Sequence, residues 1–416
     1  MAGPLEGVHV LDLSQGLSGP YAAMLLGDAG ARITKVEPLG GDYARAYGPP
    51  FRGGESAQFM EINRNKRGVA LDIERPEGRE IVERLLRDVD VVVTDHTPAR
   101  ASELRLNYAS IEKISRRVVH CNVTPFGERG PMAEHPGAEL VVQAMAEFPK
   151  SLGRLGDAPI RLGTDIANMN TGAQALQGIV AALIMRERTG EGQFVEVNML
   201  RTLLHLRSQV FTAHSENTDD VNGPHTDGNI VPNGPSGFMN TKPQDHGYKT
   251  KDGHVLIQGW GGLASTPEKY RQLLADLGIA DDVKDDPRWA NAADVLGGSS
   301  KYGWELKDTW ERGLANRTTQ EAMDFFESYG MTAFPVNNYP SLFADPQVES
   351  IKMVQTLEHP TAGTYRTLGS PWLFSSTPAA IQCPAPLLGQ HTDEVLTEVG
   401  YHAPDIARLR AAGAIA

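Results

Sequence analysis

The chain has 416 residues, more than one hydrophobic core ordinarily serves, so two domains are expected. Apolar residues make up 40% and charged residues 22%, which places the chain among soluble globular proteins rather than disordered or fibrous ones. A formal net charge of -13 excludes nucleic acid as a partner, because a phosphate backbone demands basic stripes.

Along the chain, residues 8–13 (VHVLDL) form a short apolar run of β type, followed by the loop SQGLSGP. Residues 21–28 read as a helix ending near Gly30, and residues 32–37 alternate as a second strand. Residues 78–89 are an amphipathic helix with Ile81, Leu85 and Leu86 on one face. Apolar runs at 89–93 and 118–123 are further strands. Strands separated by helices imply βαβ units and a parallel sheet, hence an α/β fold with a Rossmann-like layout.

Residues 171–188 carry the strongest helix signal, with Thr171 as its cap, Gly190 as its end and a body apolar on most sides. Such a helix is expected to be buried. Residues 193–200 (QFVEVNML) read as the next strand. From 215 to 240 the chain is rich in Gly, Asn, Pro and Asp without periodicity, which predicts a long loop at a domain junction. Residues 248–258 read as a hairpin turning at Lys251-Asp252-Gly253. Helical segments follow to about residue 330, and 387–410 is helical again. These signals divide the chain into a large domain over 1–215, a small domain over 225–335, and a return to the large domain over 345–416.

Cys121 and Cys383 are the only cysteines, and they offer neither a disulfide framework nor a Cys-x-x-Cys metal pair. A reducing compartment is the simplest reading. The start MAGPLEGVHV lacks the basic and apolar regions of a secretory signal. The longest apolar run, 179–185, is too short to span a bilayer. A cytoplasmic protein with no membrane association is therefore expected.

The first βα loop mimics a dinucleotide site, with Glu37 at the end of the second strand. SQGLSGP is not G-x-G-x-x-G, however, and NAD or FAD is not expected. A nucleotide-bearing ligand of another kind stays open, because the loop offers backbone N–H groups at a helix start. Arg64, Lys66 and Arg67 are a candidate patch for a small anion, or else a solvated loop. G-x-S-x-G and H-E-x-x-H are both missing, and the twelve histidines are scattered without a metal constellation. His225 and Asp227 read as loop residues, and His120 as a packed core histidine. The segment from Asp165 through Asn168 and Asn170 to Gly172 precedes the buried helix, where a carboxylate would feel the positive end of the helix dipole. Asp165 itself reads as a cap or a loop hydrogen bond.

Four stretches together resemble the class III CoA-transferases, the group of formyl-CoA and carnitine CoA-transferases and alpha-methylacyl-CoA racemase. They are VLDLSQGLSGPYAAMLLGDAGARITKVEPLGGD (10–42), NRNKRGVALDI (63–73), IVAALIMRERTGEGQFVEVNML (179–200) and APLLGQHTDEVLTEVGY (385–401). The resemblance implies a large Rossmann-like domain built from both chain ends, an inserted small α+β domain, and two chains interlocked as a dimer. It implies no permanently bound cofactor, with coenzyme A or an acyl-CoA such as succinyl-CoA as substrate and a carboxylic acid as acceptor. In that family an Asp attacks the thioester, forms a mixed anhydride, becomes an enzyme-bound thioester and passes CoA to the acceptor.

On the resemblance, that Asp falls at Asn168, ahead of Met169-Asn170-Thr171-Gly172. A carboxamide has the shape of the carboxylate but no anionic oxygen to form the anhydride. Contacts to CoA would come from Leu17, Ser18, Leu71 and the segment Asp95-His96-Thr97. Glu103 stands where the family commonly has an Arg, and would repel a phosphate. Gly137-Ala138-Glu139 replaces the Gly-His-Asp of the racemases, so racemase activity is not expected. Glu139 matches a Glu near the family's reacting centre, in a supporting role or as a helix-start carboxylate. Some members are heteromeric, benzylsuccinate CoA-transferase among them. The resemblance thus implies a catalytically degenerate subunit whose homologous partner carries the Asp. An active homodimeric transferase captured as an Asp-to-Asn variant and a non-enzymatic acyl-CoA-binding protein are the alternatives.

Overall fold

The computed structural model describes residues 3–149, 158–208, 247–258, 261–264, 266–290, 292–295 and 303–416. The chain divides into two compact units: one comprises 1–146, 163–206 and 345–416, the other 147–162 and 207–344.

The first unit is built on six parallel strands: β1 (His9–Asp12), β2 (Arg32–Glu37), β3 (Lys66–Ala70), β4 (Val91–Thr94), β5 (Val119–Thr124) and β6 (Phe194–Asn198). Their order is β3-β2-β1-β4-β5-β6, which reverses direction between β1 and β4. The register pairs Val10 with Ile33 on one side and with Val91 on the other. The central strands β1, β4 and β5 are buried throughout, so β1 and β4 read as apolar runs, whereas the edge strand β6 is only half-buried over its first three residues. Strand β3 escaped the sequence reading because it opens on Lys66-Arg67-Gly68, which looks polar.

Helices cover both faces. The relevant ones are α1 (Ser18–Asp28), α2 (Pro76–Leu85), α3 (Pro98–Glu103), α4 (Tyr108–Ile114), α5 (Glu139–Met145), α6 (Ile166–Thr189) and α7 (Met199–Leu206). Ile81, Leu85 and Leu86 pack with Leu11, Val92 and Leu71 in one core layer. Ala22, Leu26 and Ile33 pack with Ile179 and Leu183 in the other. Helix α6 begins at Ile166, five residues before the expected cap. Thr171 lies inside it, with its hydroxyl donating to the Ala167 carbonyl. Gly190 ends it at φ 81°, as expected. The helix is not buried on most sides, since Ile184 and Met185 are about half exposed. The predicted strand 193–200 stops at Asn198, and Met199 and Leu200 open α7 instead.

Gly172 is required by close packing: a Cβ there would lie 2.6 Å from the Ser18 carbonyl oxygen. This contact sets the head of α1 against the first turns of α6. The chain's last segment adds the hairpin Val354–His359/Gly363–Leu368 and two short helices, Thr392–Glu398 and Ala403–Ala411, where one long helix was expected.

The second unit contains an antiparallel sheet in which His254–Gln258 lies between Tyr248–Lys249 and Thr332–Pro335. The expected hairpin at 248–258 is therefore present. Trp289, Trp310 and Phe326 anchor its core. The predicted junction loop at 215–240, with His225 and Asp227, lies outside the described residues. Among the described residues, no helix is long and apolar enough to cross a membrane.

Candidate active site

The loop between β1 and α1 is held by buried ions. Asp12 accepts from the Ser14 N–H at 3.1 Å, Asp95 from the Gln15 N–H at 2.9 Å, and Asp42 from the Gly16 N–H at 2.9 Å. Lys35 donates to the Ser14 carbonyl at 2.9 Å and pairs with Asp42 at 2.8 Å. Lys66 donates to Asp12, the Pro20 carbonyl and Asn63 at 2.7–3.0 Å. Burial opposes charge on Asp12, yet Lys66 and Lys35 hold its carboxyl below the usual range. Burial likewise opposes charge on Lys35, yet Asp12, Asp42 and Glu37 keep its ammonium above its ordinary value.

Two sequence expectations are corrected by this network. The N–H groups of Ser14, Gln15 and Gly16 are not on offer to a ligand, because three aspartates have taken them. The Arg64, Lys66 and Arg67 cluster is neither an anion patch nor a solvated loop. Arg64 pairs with buried Asp28, Lys66 is fully buried, and Arg67 pairs with Glu394 and Glu398.

A crevice of about 610 Å³ opens above this loop. Leu17, Ser18, Asp95, Thr97, Glu139, Asp165 and Asn168 all line it. Six of the eight residues singled out from sequence thus meet in one place. Gln15, Tyr43, Tyr47, Gln58 and His135 complete the walls and were not anticipated. The two tyrosines, with ring centroids 5.7 Å apart, open and follow a short 3-10 turn (Tyr43–Ala46) that no motif marks.

Asn168 lies in the first turn of α6. Its Oδ1 accepts from the Ser18 hydroxyl at 2.8 Å, and its Nδ2 donates to Glu139 Oε2 at 2.8 Å. The amide orientation follows from these partners, because an ionised carboxylate can only accept. Glu139 also accepts from the Ala167 N–H at 2.7 Å, the Asn168 N–H at 2.8 Å and the Gln143 side chain at 2.8 Å. It therefore satisfies two of the orphan donors at the head of α6, at the positive end of the helix dipole. Asp165 occupies the N-cap position, but its side chain makes no capping hydrogen bond. Glu139 performs that task from a distant part of the chain. Saturated by four donors, its carboxylate is a poor nucleophile.

Asp95 differs. Burial, with Asp42 nearby and partly offset by the Gln15 N–H, pushes its carboxyl up to about 7. Among the described residues its Oδ1 has no hydrogen-bond donor.

Leu71 and His96 line a second crevice of about 430 Å³ with Leu13, Glu37, Asp72, Glu74, Arg100 and Leu104. Gln15 lines both crevices. This one lies at the carboxyl ends of β1 to β4, where the strand order reverses, the position at which open α/β sheets take nucleotides. Glu103 does not face it. Arg100, one turn earlier on α3, does, and pairs with Glu74 and with Glu103 at 2.6 Å. The i,i+3 spacing on α3 brings Glu103 within reach of Arg100, which accounts for their pairing.

A family model described as CoA-transferase family III matches residues 5–392. The chain is 32% identical over 415 residues to succinyl-CoA:glutarate CoA-transferase of Mus musculus, covering 99% of this chain and 90% of that one. It is 28% identical over 412 residues to the succinyl-CoA–L-malate CoA-transferase beta subunit of Chloroflexus aurantiacus, covering 95% of this chain and 94% of that one. A solved CAIB/BAIF family protein from Brucella suis superposes with a TM-score of 0.80 at 27% identity, over 96% of this chain and 100% of that one.

Proposed function

Because the chain belongs to CoA-transferase family III, we propose that it is a CoA-transferase subunit in which Asn168 replaces the nucleophile and a homologous partner chain supplies the Asp. The observation that carries this reading is the Asn168 carboxamide, bound on one side by Ser18 and on the other by Glu139. An amide nitrogen in this position has no lone pair free to attack a thioester, and the amide oxygen carries no full charge.

On this reading the assembly moves CoA from an acyl-CoA, such as succinyl-CoA, to a carboxylic acid in the cytoplasm. The partner's Asp attacks the thioester carbonyl and expels the CoA thiolate. The thiolate attacks the resulting anhydride at the Asp carbonyl and releases the first acid. The acceptor carboxylate then attacks the Asp–CoA thioester, expelling the CoA thiolate and forming a second anhydride. The thiolate attacks the acceptor carbonyl of that anhydride, releasing the Asp carboxylate and the new acyl-CoA. In this chain the nucleotide end of a ligand would occupy the second crevice and the thioester end the first, meeting at Gln15. Ser18, Asn168 and Glu139 form a hydrogen-bonded wall of the thioester end in which the Glu139 carboxylate is saturated by four donors.

Exposed apolar residues support an assembly. Leu140 and Val141 on α5, Ile184 and Met185 on α6, and Leu206 on α7 are each about half exposed. Leu140 and Val141 follow Glu139 at the head of α6, whereas Ile184 and Met185 lie near its far end, about 24 Å along the helix, so these are separate exposed apolar sites rather than one patch. An interlocked arrangement of two chains, each with a large and a small domain, would cover them. The Chloroflexus relative, named as a beta subunit, favours a heteromer.

The test is co-purification from the native host, followed by CoA-transfer assays of the assembly and of the chain alone. Activity confined to the assembly is expected. Transfer at the assembly's rate by the isolated chain would refute the degenerate reading.

A further inference from the structure

Among the described residues the first crevice is lined by no Lys or Arg, so apart from His135 its hydrogen-bond donors are neutral. Several are already taken. The Ser18 hydroxyl donates to Asn168, the Asn168 amide to Glu139, and the N–H groups of Gln15 and Gly16 to Asp95 and Asp42. Two polar groups beside the Gln15-Gly16 peptide are left over. Asp95 is fixed through Oδ2 by the Gln15 N–H at 2.9 Å, while its Oδ1 has no donor among the described residues. Its side chain is 23% exposed, so the crevice reaches it. The Tyr43 hydroxyl rests against Gly16, so closely that a Cβ there would collide with it. Among the described residues that hydroxyl has no acceptor.

Burial and the nearby Asp95 push the Tyr43 phenol up, so it keeps its proton. Asp95 itself is raised to about 7, chiefly by burial. The charged groups facing it are Asp12 at the end of β1, Lys35 on β2 and Asp42 after that strand, with Lys35 opposing the two aspartates. His96 Nδ1 lies 3.8 Å from Oδ1, and burial lowers that ring's affinity for a proton. Asp165, Glu139 and His135 line the same crevice. A phenol and a protonated carboxyl on one wall can both donate to a single oxygen, the arrangement that holds a polarised carbonyl in a site without cations.

We propose that the Tyr43 hydroxyl and Asp95, as a neutral carboxylic acid, donate to the carbonyl oxygen of an acyl thioester bound in the first crevice. The proposal rests on the reading that the chain handles acyl-CoA and names the residues that grip its reactive end. Asp95 must carry a proton to donate, so the grip is tight at acid pH and loosens as pH rises through neutrality.

Titration calorimetry of the intact chain with succinyl-CoA, and with the thioether in which a methylene replaces the thioester carbonyl, tests it. At pH 6 the thioester should bind about tenfold more tightly, the worth of two neutral hydrogen bonds. At pH 8.5 Asp95 is ionised, and the preference should fall to about threefold. Asp95→Asn keeps an acceptor for the Gln15 N–H and a donor for the ligand, so its preference should stay at about tenfold at both pH values. Tyr43→Phe should lower the pH 6 preference about threefold. Tyr43 is about half exposed, so losing its hydroxyl leaves the fold intact. A preference that is absent or independent of pH in the unaltered chain overturns the proposal. So does an Asp95→Asn chain that loses the preference or still changes with pH, the second of which would point to His135. Binding of neither ligand also overturns it. CoA transfer by the co-purified assembly would in that case leave the family function standing, which separates the two failures.

Discussion

Glu139 Oε2 accepts from both the backbone N–H and the side-chain Nδ2 of Asn168, each at 2.8 Å. The pair works only because residue 168 is an amide. A carboxylate there would face a second carboxylate at hydrogen-bond distance, and the two would have to share a proton.

Asn168→Asp is therefore expected to be pH-sensitive in a way the unaltered chain is not. The shared proton is retained by the folded pair above the pH at which unfolded Asp and Glu lose theirs, near pH 4. The folded state then binds more protons than the unfolded one, so stability falls as pH rises. The variant should match the unaltered chain near pH 4 and lose about 1–3 kcal/mol by pH 8. Melting temperatures across that range measure it, and a difference independent of pH would show that the two side chains do not couple. The same variant, assayed alone, reports whether only the nucleophile is missing.

The contact between Ser18 and Asn168 depends on how closely α1 approaches α6. Gly172→Ala would put a methyl group 2.6 Å from the Ser18 carbonyl oxygen. Neither partner is a flexible side chain, so backbone must move, at a cost of about 1–3 kcal/mol. Denaturant unfolding should show that loss. If the variant is as stable as the parent, the two helices are not in the tight contact described.

How far the site could be read from sequence follows from the kind of signal involved. The parallel sheet announced itself through its apolar runs, and β3 hid only because its first residues are charged and buried. Leu17, Ser18, Asp95, Thr97, Glu139 and Asn168 were picked out by resemblance, and they line one crevice. The task of Glu139 was half-legible: a carboxylate at the start of α5 suggested a helix dipole, but the helix it serves is α6. No local pattern relates position 139 to positions 167 and 168. The aspartate clamp on the first loop was equally hidden, because it joins Asp12, Asp42 and Asp95 across the sheet. The loop looked ready to bind an anion only while its N–H partners were unknown. Arg100 was missed through attention to Glu103 in place of an arginine, one turn further along α3.

Asp95 makes a second pH-dependent prediction. Its carboxyl is pushed up to about 7, chiefly by burial, against about 3.9 in an unfolded chain. Between these values the folded chain holds a proton that the unfolded chain has released, so stability falls as pH rises through the window and levels off above it. Asp95→Asn keeps an acceptor for the Gln15 N–H and removes the titration. The variant should equal the parent near pH 4 and exceed it by about 1–3 kcal/mol at pH 8. Should the two curves run parallel, Asp95 does not titrate in this window.

The ammonium of Lys35 anchors the whole floor of the first crevice. It pairs with Asp42 at 2.8 Å, lies 4.0 Å from Asp12 and holds the Ser14 carbonyl, all with no exposure to solvent. Lys35→Met would leave Asp42 buried beside an apolar chain, and Asp12 would keep Lys66 as its one cation, beside the Ser14 donors. Breaking a buried ion pair from one side costs about 3–5 kcal/mol, because the remaining charge stays desolvated. Neutralising the orphan should recover part of that, so Lys35→Met/Asp42→Asn is expected to be more stable than Lys35→Met alone by about 1–2 kcal/mol. Asp42 also accepts from the Gly16 and Ala44 N–H groups, which its amide can still do through one oxygen. Urea unfolding of the single and double variants decides the matter. A Lys35→Met loss below about 1 kcal/mol, or no recovery in the double variant, would mean that the loop is held by its backbone geometry rather than by the buried ions.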